Sequence, residues 1–311
     1  MSYPKLEINV RKLEYNARVE VRNLAKVGVT VMGVNKVFNG LPETAEAIVR
    51  GGIKTVAESR VSNLKKIENI DCEKCLLRSP LMSDIEDTVK YADISLNSEI
   101  EVIRALSQEA VKQEKTHKIL LMIDMGDIRE GIWFENKDEI KAVVNEIKAL
   151  PNLEIYGLGT NFNCFGTALP TVKNGVAFRK LASEIEESCG VKFQYLSAGN
   201  CTSYHLIDKG IWPEGLNHLR IGGLHLYGME YVSMKYLDEY YHSDMDITGL
   251  YPIYMCLREK SLNSIVNLLF RWGNWVWMPS YRASILKTTV RVNGPCYHLE
   301  DRIFHQKTSG R

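Results

Sequence analysis

The sequence has little net charge, few paired cysteines and no long apolar run, and each of these absences excludes a class of protein. The formal charge is only +1 over 311 residues. The basic excess lies at the end: after Leu257 there are nine Lys and Arg residues against three Asp and Glu residues. The preceding body is mildly acidic, so we expect no nucleic-acid partner. No run is apolar enough to span a bilayer, so we expect no membrane partner either.

The seven cysteines are scattered along the chain, and only Cys72 and Cys75 form a CxxC pair. No second pair and no nearby histidines complete a tetrahedral site, so we expect no bound metal. The first residues, MSYPKLEINV, do not resemble a signal peptide. Together these features predict a reduced, cytoplasmic location.

Strand-like and helix-like patterns alternate along the chain with short connections between them. A strand-like KLEINV and a helix starting near Arg11 come first. Segments such as PETAEAIVRGG and NKDEIKAVVNEIKAL then carry apolar residues at helical spacings between the strand-like runs. These runs cover residues 29–36, 55–59, 75–80, 94–98, 118–124, 154–161, 193–199 and 218–223. Eight strand–helix units of this size predict an α/β fold with a (β/α)8 TIM barrel.

Polar residues stand at or just after the ends of the predicted barrel strands, where the active site of such a barrel gathers. They are Lys36 on the first strand, Arg129 after the fifth, Asn161 on the sixth, Ser197, Gly199 and Asn200 on and after the seventh, and Arg220 in the eighth. A single strand-end lysine is commonly a surface residue whose stem packs while its ammonium stays hydrated. The convergence of several such residues on one mouth favours a functional site.

The chemistry that this set suggests is that of pyridoxal phosphate. A lysine amine can form a Schiff base with the cofactor aldehyde, and desolvation at a barrel mouth would lower its pKa. The segments SAGNCTS and RIGG follow the last two strands, where barrels bind phosphate through backbone N–H groups. An arginine at position 220, held near the ring nitrogen, would keep that nitrogen unprotonated. The alternative explanation is that the glycines of SAGNCTS and RIGG form ordinary strand-to-helix turns.

The motifs GVNKVFNG, SLNSEIEVIRALS, MIDMGDIREGIW, GLGTNFNCFG, LSAGNCTS and LRIGGLHLYG, in this order, resemble the alanine/ornithine racemase family of pyridoxal phosphate enzymes, and its ornithine racemase branch in particular. The resemblance runs from about Tyr3 to Tyr231. It implies that Lys36 carries the cofactor and acts as one catalytic base, and that Arg220 faces the pyridine nitrogen. The residues that it places around the phosphate are Ser197, Gly199, Asn200, Thr202, Ser203, Gly222 and Gly223.

The chain departs from the pattern of the family at two positions, 201 and 161. Cys201 stands where a phosphate-binding serine is expected, which leaves Thr202 or Ser203 to supply a hydroxyl. Asn161 replaces the histidine that alanine racemases often have near the ring, and it is either a cofactor contact or a structural residue. Arg129, the second candidate catalytic residue beside Lys36, resembles the arginine that tunes this region, with a surface salt bridge to Glu130 or Asp127 as the alternative.

The resemblance implies racemisation of a small amino acid, with ornithine, lysine and alanine as the candidates. Racemisation needs two bases, and in alanine racemases the second is a tyrosine from the C-terminal β-domain of a partner subunit, which implies a homodimer if that domain is intact. Two other functions stay open: a non-catalytic pyridoxal phosphate carrier, and a barrel that binds small molecules with Lys36 as a structural residue only.

The tail differs from the rest of the chain. We predict a cofactor-binding barrel over residues 1–233 and an incomplete or aberrant β region over 234–311. Beyond about Met245 the resemblance ends, and the stretch SIVNLLFRWGNWVWMPSYRAS carries three of the five tryptophans. Local pattern and global fold disagree here.

We propose that the tail is a frameshifted reading of the family's C-terminal domain, which would explain this disagreement. If the third base of each codon is joined to the first two bases of the next, Trp272 to Pro279 can encode GELGMDA, the stretch from Val266 KPTVPM, and Arg291 to Pro295 RKRA. Strings of this kind are expected in the family at those places. A divergent but genuine tail is the alternative. A frameshifted tail would leave a cofactor-binding barrel with little or no racemase activity.

Overall fold

The computed structural model describes residues 5–164, 166–242, 289–292 and 296–298. Fourteen strands lie in this described part of the chain. They are β1 (Lys5–Ile8), β2 (Thr30–Val34), β3 (Thr55–Glu58), β4 (Glu73–Leu76), β5 (Ile94–Asn97), β6 (His117–Asp124), β7 (Ile132–Trp133), β8 (Leu153–Thr160), β9 (Tyr195–Ala198), β10 (His218–Ile221), β11 (Met229–Glu230), β12 (Lys235–Tyr236), β13 (Thr289–Val292) and β14 (Cys296–His298).

Helices follow most of the strands and begin where the apolar spacing of three and four sets in. The α-helices are α1 (Val10–Ala25), α2 (Pro42–Arg50), α3 (Val61–Lys66), α4 (Ile85–Tyr91), α5 (Ile100–Lys112), α6 (Lys137–Ala149), α7 (Val172–Cys189), α8 (Tyr204–Asp208) and α9 (Gly223–Tyr227). Short 3₁₀ turns cover Lys36–Phe38, Met82–Asp84 and Cys201–Ser203. None of the helices within the described ranges is both long enough and apolar enough to cross a bilayer.

Eight of the strands form a closed parallel barrel in the order β2, β3, β4, β5, β6, β8, β9 and β10. The barrel closes because β10 pairs with β2, with Arg220 opposite Met32, and β5 pairs with β6. The predicted TIM-like barrel is therefore confirmed. One strand was misplaced: the run predicted at 75–80 begins at Glu73 and ends at Leu76, because its register follows the neighbouring strand Thr55–Glu58.

The barrel core has two layers of apolar side chains, one inside the barrel and one between the strands and the helices. Inside, Met32, Leu96 and Met122 from three different strands belong to one buried cluster. Outside, helix residues such as Ile103 and Phe178 pack against strand residues in a second and larger cluster. Burial on both faces explains why the strands read as continuous apolar runs rather than as alternating ones.

The described residues divide into two units. The barrel unit spans Lys12–His242. The other unit contains a three-stranded sheet in which β13 pairs with β1 in parallel and with β14 in antiparallel fashion. The predicted domain boundary at residue 233 stays a prediction. Of the segment from Val266 to Pro295, on which the frameshift hypothesis depends, all but Thr289–Val292 lies outside the described residues.

Candidate active site

Lys36 lies two residues beyond the end of β2, at the C-terminal mouth of the barrel, and begins the 3₁₀ turn Lys36–Phe38. The turn ends in left-handed backbone at Asn39 and Gly40, with φ of 54° and 72°. The side chain is partly buried. Burial lowers the pKa of the Lys36 amine, and the positive charge of Arg129 lowers it further, although Glu130 and the thiols of Cys164 and Cys201 oppose the shift. The amine is therefore easier to deprotonate than an exposed one, as a nucleophile requires.

Arg220 lies in β10 with its guanidinium inside the barrel, where the residue is only 4% exposed. Its Nη2 donates to the Thr160 carbonyl and to Asn161 Oδ1, both at 2.8 Å, and its Nη1 donates to the Ser197 hydroxyl. Burial lowers the pKa of Arg220 to about 10. The group still carries its charge at neutral pH, because a pKa of about 10 lies well above 7.

A chain of polar contacts connects Arg220 with Arg129 across the barrel mouth. Asn161 accepts from Arg220 and donates from Nδ2 to Glu130 Oε1 at 2.7 Å. Glu130 Oε2 lies 3.5 Å from Arg129 Nε, and Arg129 Nη1 donates to Cys164 Sγ at 2.8 Å. The salt bridge considered for Arg129 is thus present, and it lies within the site.

The loop after β6 carries both Arg129 and Glu130, and it is fixed by the carboxylates of two aspartates that precede them. Asp124 Oδ1 accepts from the backbone N–H of Gly126 at 2.8 Å and of Ile128 at 3.1 Å. Asp127 Oδ2 accepts from the N–H of Cys164 at 2.9 Å, which joins this loop to the one after β8. These bonds hold the two loops, and with them Arg129, over the barrel mouth.

A cradle of backbone donors forms where β10 leads into α9. The N–H groups of Gly222 and Gly223 converge on Cys201 Sγ at 3.4 and 3.1 Å. A Cβ on Gly222 would lie 2.9 Å from the Val34 carbonyl and would have to displace backbone, and one on Gly223 would lie 2.1 Å from Tyr231 Oη and would have to displace the Tyr231 ring. A thiol is a weak acceptor, and a phosphate oxygen would be a stronger partner for these two donors.

The hydroxyl of Ser203 is the second feature that fits a phosphate. Ser203 is 1% exposed, and among the described residues its Oγ has no hydrogen-bond partner. Thr202 differs, because its hydroxyl already donates to the Phe162 carbonyl at 3.0 Å. Of the two hydroxyls considered in place of the missing serine, the Ser203 hydroxyl is the one without a partner in this region. The two amides and this hydroxyl fit the donor set of a phosphate group.

Three of the polar side chains predicted around the phosphate, those of Ser197, Asn200 and Thr202, already have partners within the protein. The Ser197 hydroxyl accepts from Arg220 and lies 2.7 Å from His218 Nδ1. Asn200 caps the turn Cys201–Ser203 by accepting from the Thr202 N–H at 2.9 Å, and its Nδ2 donates to the Phe162 carbonyl. Ser197 thus supports the guanidinium, while Asn200 and Thr202 fasten the turn after β9 to the loop after β8. Gly199, with φ of 101°, makes the tight turn between them.

Several residues of the site were not predicted from the sequence. Glu130 and Cys164 both lie within electrostatic reach of Lys36. Both stand inside motifs quoted above, so their position next to a predicted residue was the available signal. His218 gave no such signal. Burial and the charge of Arg220 hold the pKa of His218 well below its ordinary value. The neutral ring can then accept from the Ser197 hydroxyl and complete the support of Arg220.

A closed parallel barrel with a half-buried lysine at the mouth is a TIM-like fold with a candidate Schiff-base site. The family model described as "Alanine racemase, N-terminal domain" matches residues 8–230. The chain therefore belongs to this family, which uses pyridoxal phosphate.

Two curated relatives agree with this assignment. The chain is 38% identical to ornithine racemase of Acetoanaerobium sticklandii over 229 residues, which cover 73% of the chain and 64% of that protein. It is 33% identical to lysine racemase of Thermotoga maritima over 240 residues, which cover 76% of the chain and 66% of that protein. The chain thus spans slightly less than two-thirds of the length of these relatives.

Solved structures share the fold. Alanine racemase of Clostridium difficile superposes with a TM-score of 0.61 at 20% identity, covering 77% of this chain and 63% of that chain. D-threonine aldolase from Filomicrobium marinum superposes with a TM-score of 0.62 at 14% identity, covering 78% and 68%. These likenesses support the barrel architecture, which different activities share.

Proposed function

We propose that the chain binds pyridoxal phosphate covalently through Lys36 and racemises a basic amino acid, with ornithine as the favoured substrate. The observation that carries the first part is the lysine itself, which lies at the barrel mouth with a lowered pKa. The preference for ornithine is supported by the 38% identity to an ornithine racemase and the 33% identity to a lysine racemase.

The residues present would hold the cofactor at three points. The N–H groups of Gly222 and Gly223 with the Ser203 hydroxyl would bind the phosphate, Arg220 would contact the ring nitrogen, and Lys36 would hold the aldehyde carbon. Bound there, the cofactor supplies an electron sink that makes the α-proton of an amino acid removable. An arginine at the ring nitrogen moderates this sink, because it cannot give up its proton to the ring.

Lys36 would then act as the base on one face of the substrate. Its lowered pKa leaves a larger fraction of the amine free to accept a proton at neutral pH. Arg129, held by Glu130 and Cys164, would keep the mouth positively charged for the substrate carboxylate. The second base would come from a partner subunit, which makes a homodimer part of the proposal.

The experiment is to incubate the protein with pyridoxal phosphate and L-ornithine, L-lysine or L-alanine, and to follow the loss of optical rotation. We expect L-ornithine to lose its rotation fastest, and Lys36→Ala to abolish the reaction. If alanine were racemised and ornithine were left unchanged, the assignment of the substrate class would be wrong.

A pyridoxal phosphate carrier without turnover is the second candidate. It needs only the residues that would hold the cofactor, namely Lys36, Arg220 and the backbone donors of Gly222 and Gly223, and it needs no second base. The same assay separates the two candidates. A protein that binds the cofactor at Lys36 but leaves the rotation of all three amino acids unchanged would be a carrier or an inactive racemase.

A further inference from the structure

A buried carboxylate lies directly beneath the turn that carries Lys36. Glu58 ends β3, the barrel strand next to β2, and its side chain is fully buried. Both of its oxygens accept side-chain amide hydrogens: Oε1 from Asn35 Nδ2 at 3.1 Å, and Oε2 from Asn63 Nδ2 at 3.2 Å. Asn35, itself fully buried, immediately precedes Lys36 in the chain. One carboxylate thus connects the lysine-bearing strand end to α3.

The first of these amides holds the start of the turn. The Asn35 backbone N–H donates to the Ala57 carbonyl at 2.9 Å, and Asn35 Oδ1 lies 2.8 Å from the Thr44 hydroxyl on α2. The Asn35 amide is therefore fixed at both ends, by a hydroxyl on its oxygen and by Glu58 on its nitrogen. A rotation of this amide would break both contacts at once.

The second amide holds the end of the turn. Asn63 Oδ1 accepts from Lys66 Nζ at 3.0 Å, and the same Nζ donates to the Asn39 carbonyl at 2.7 Å. Gly40 packs so closely on this group that an added Cβ would lie 2.8 Å from Asn63 Cβ. Residues 35–40, which we call the Lys36 turn, are thus held at both ends by contacts that meet at Glu58.

We propose that Glu58 is a positioning residue for Lys36, whose ionised carboxylate fixes the Lys36 turn and with it the amine at the barrel mouth. This inference rests on the proposed role of Lys36 as the cofactor-binding lysine. Glu58 itself contacts the turn and α3, so its action on Lys36 is transmitted through Asn35.

The contacts distinguish the two protonation states of Glu58. Both amides present hydrogen atoms to the carboxyl group, so an ionised group satisfies both, whereas a protonated group turns an O–H against one of the two donors. Burial raises the pKa of Glu58 to about 7, although the amides of Asn63 and Asn35 and the charge of Lys66 act against the rise. The groups that face Glu58 are the amide of Asn35 just after β2, the amide of Asn63 and the ammonium of Lys66 on α3, and the Ser59 backbone N–H, and of these only Lys66 is charged. We therefore expect the Lys36 turn to loosen as the pH falls through about 7.

The variant Glu58→Gln tests this in the protein without added cofactor. Its carboxamide keeps the shape of the side chain but presents an NH₂ to one of the two amide donors. The probes are the backbone amides of Phe38 and Asn39, which donate within the turn at 3.0 and 3.1 Å. We expect their hydrogen-exchange protection, corrected for intrinsic rates, to fall about tenfold at pH 8. The pH step near 7 seen in the unmodified protein should be absent from the variant.

Two further variants provide the control and a second test. Glu73→Gln changes a glutamate on the adjacent strand that bonds Thr55 and Lys118, and it should leave the exchange of the Lys36 turn unchanged. Lys66→Met removes an exposed ammonium that holds the Asn39 carbonyl and lowers the pKa of Glu58. In this variant the pH step in the exchange protection of Phe38 and Asn39 should therefore move to higher pH. If Glu58→Gln fails to fold, this shift is the measurement that tests the proposal.

A labelling experiment links the turn to the lysine. Pyridoxal phosphate is added for a fixed time, the product is reduced with borohydride, and Lys36 modification is measured by peptide mapping. We expect Glu58→Gln to label Lys36 at least about tenfold more slowly than Glu73→Gln does. Equal labelling and equal exchange in the two variants would overturn the role of Glu58. Absence of label at Lys36 in the unmodified protein would refute the proposed function, while the exchange data would still decide whether Glu58 fixes the turn.

Discussion

Replacing Arg220 by methionine should destabilise the barrel strongly. The change removes three short hydrogen bonds, to the Thr160 carbonyl and Asn161 Oδ1 at 2.8 Å and to the Ser197 hydroxyl, and a fourth of 3.4 Å to the Ser197 carbonyl that is too long to contribute much. Buried hydrogen bonds to a charged group contribute about 1.5–3 kcal/mol each, which is roughly 5–9 kcal/mol in all. The net cost of the buried charge, which comes mainly from desolvation and then from the repulsion of Arg129, lowers the pKa of Arg220 from 12.5 to about 10, and its relief returns about 3 kcal/mol. The expected net loss in the free energy of unfolding is about 4 kcal/mol.

The assay is urea denaturation with a matched surface variant. Arg18→Met removes an arginine whose side chain is 61% exposed and which pairs with Glu14 one helical turn away, so it should change the free energy of unfolding by less than about 0.5 kcal/mol. A loss of about 4 kcal/mol corresponds to a thermal midpoint lower by roughly 8–16 °C. If Arg220→Met were no less stable than Arg18→Met, the bonds around the guanidinium would do no more than balance its burial, and the argument would be refuted.

Four further expectations follow from the same contacts. Burial lowers the pKa of His117 to about 4 in the folded state, so about 3 kcal/mol of the free energy of unfolding should be lost as the pH falls from about 6.5 to about 4. His117→Gln should remove this part of the pH dependence, as measured by urea unfolding. Gly223→Ala should weaken pyridoxal phosphate binding at least about tenfold in a titration, because its Cβ would lie 2.1 Å from Tyr231 Oη and would displace the Tyr231 ring next to the proposed phosphate site. Burial raises the pKa of the Cys75 thiol far above its ordinary value, so a thiol reagent at pH 8 should modify Cys75 only after unfolding, and modification of the native protein would contradict this placement. Sequencing the gene should show an open shifted frame between Val266 and Pro295, and stop codons in that frame would end the frameshift hypothesis.

The barrel could be predicted from the sequence because each strand is apolar on both faces and each helix has an apolar stripe, so the two periods alternate visibly along the chain. The place of Lys36 followed from the same pattern, since the C-terminal strand ends of a barrel meet at one mouth. The strand at Glu73–Leu76 was misplaced because its limits depend on pairing with Thr55–Glu58, which a one-dimensional pattern does not contain.

The partners of the site residues were less predictable, because they depend on register and on side-chain rotation. Ser197 was expected at the phosphate, which stays a prediction; the pairing of β9 with β10 places it opposite His218, where its hydroxyl also accepts from Arg220. Thr202 and Ser203 are adjacent and chemically alike, and only the fold shows that the hydroxyl of Thr202 is already bonded to the Phe162 carbonyl. Glu58 stood in the predicted strand as an ordinary last residue, because its partners Asn35 and Asn63 come from two other elements.

The central claim, that Lys36 carries the cofactor, has one direct test. The protein is incubated with pyridoxal phosphate at pH 8, reduced with borohydride, digested and mapped by mass spectrometry. We predict that the reduced cofactor is found on the peptide containing Lys36, at about one equivalent per chain. Lys66, an exposed lysine that also contacts the Lys36 turn, serves as the internal control and should remain unlabelled. Label spread over surface lysines, or concentrated on any lysine other than Lys36, would contradict the claim.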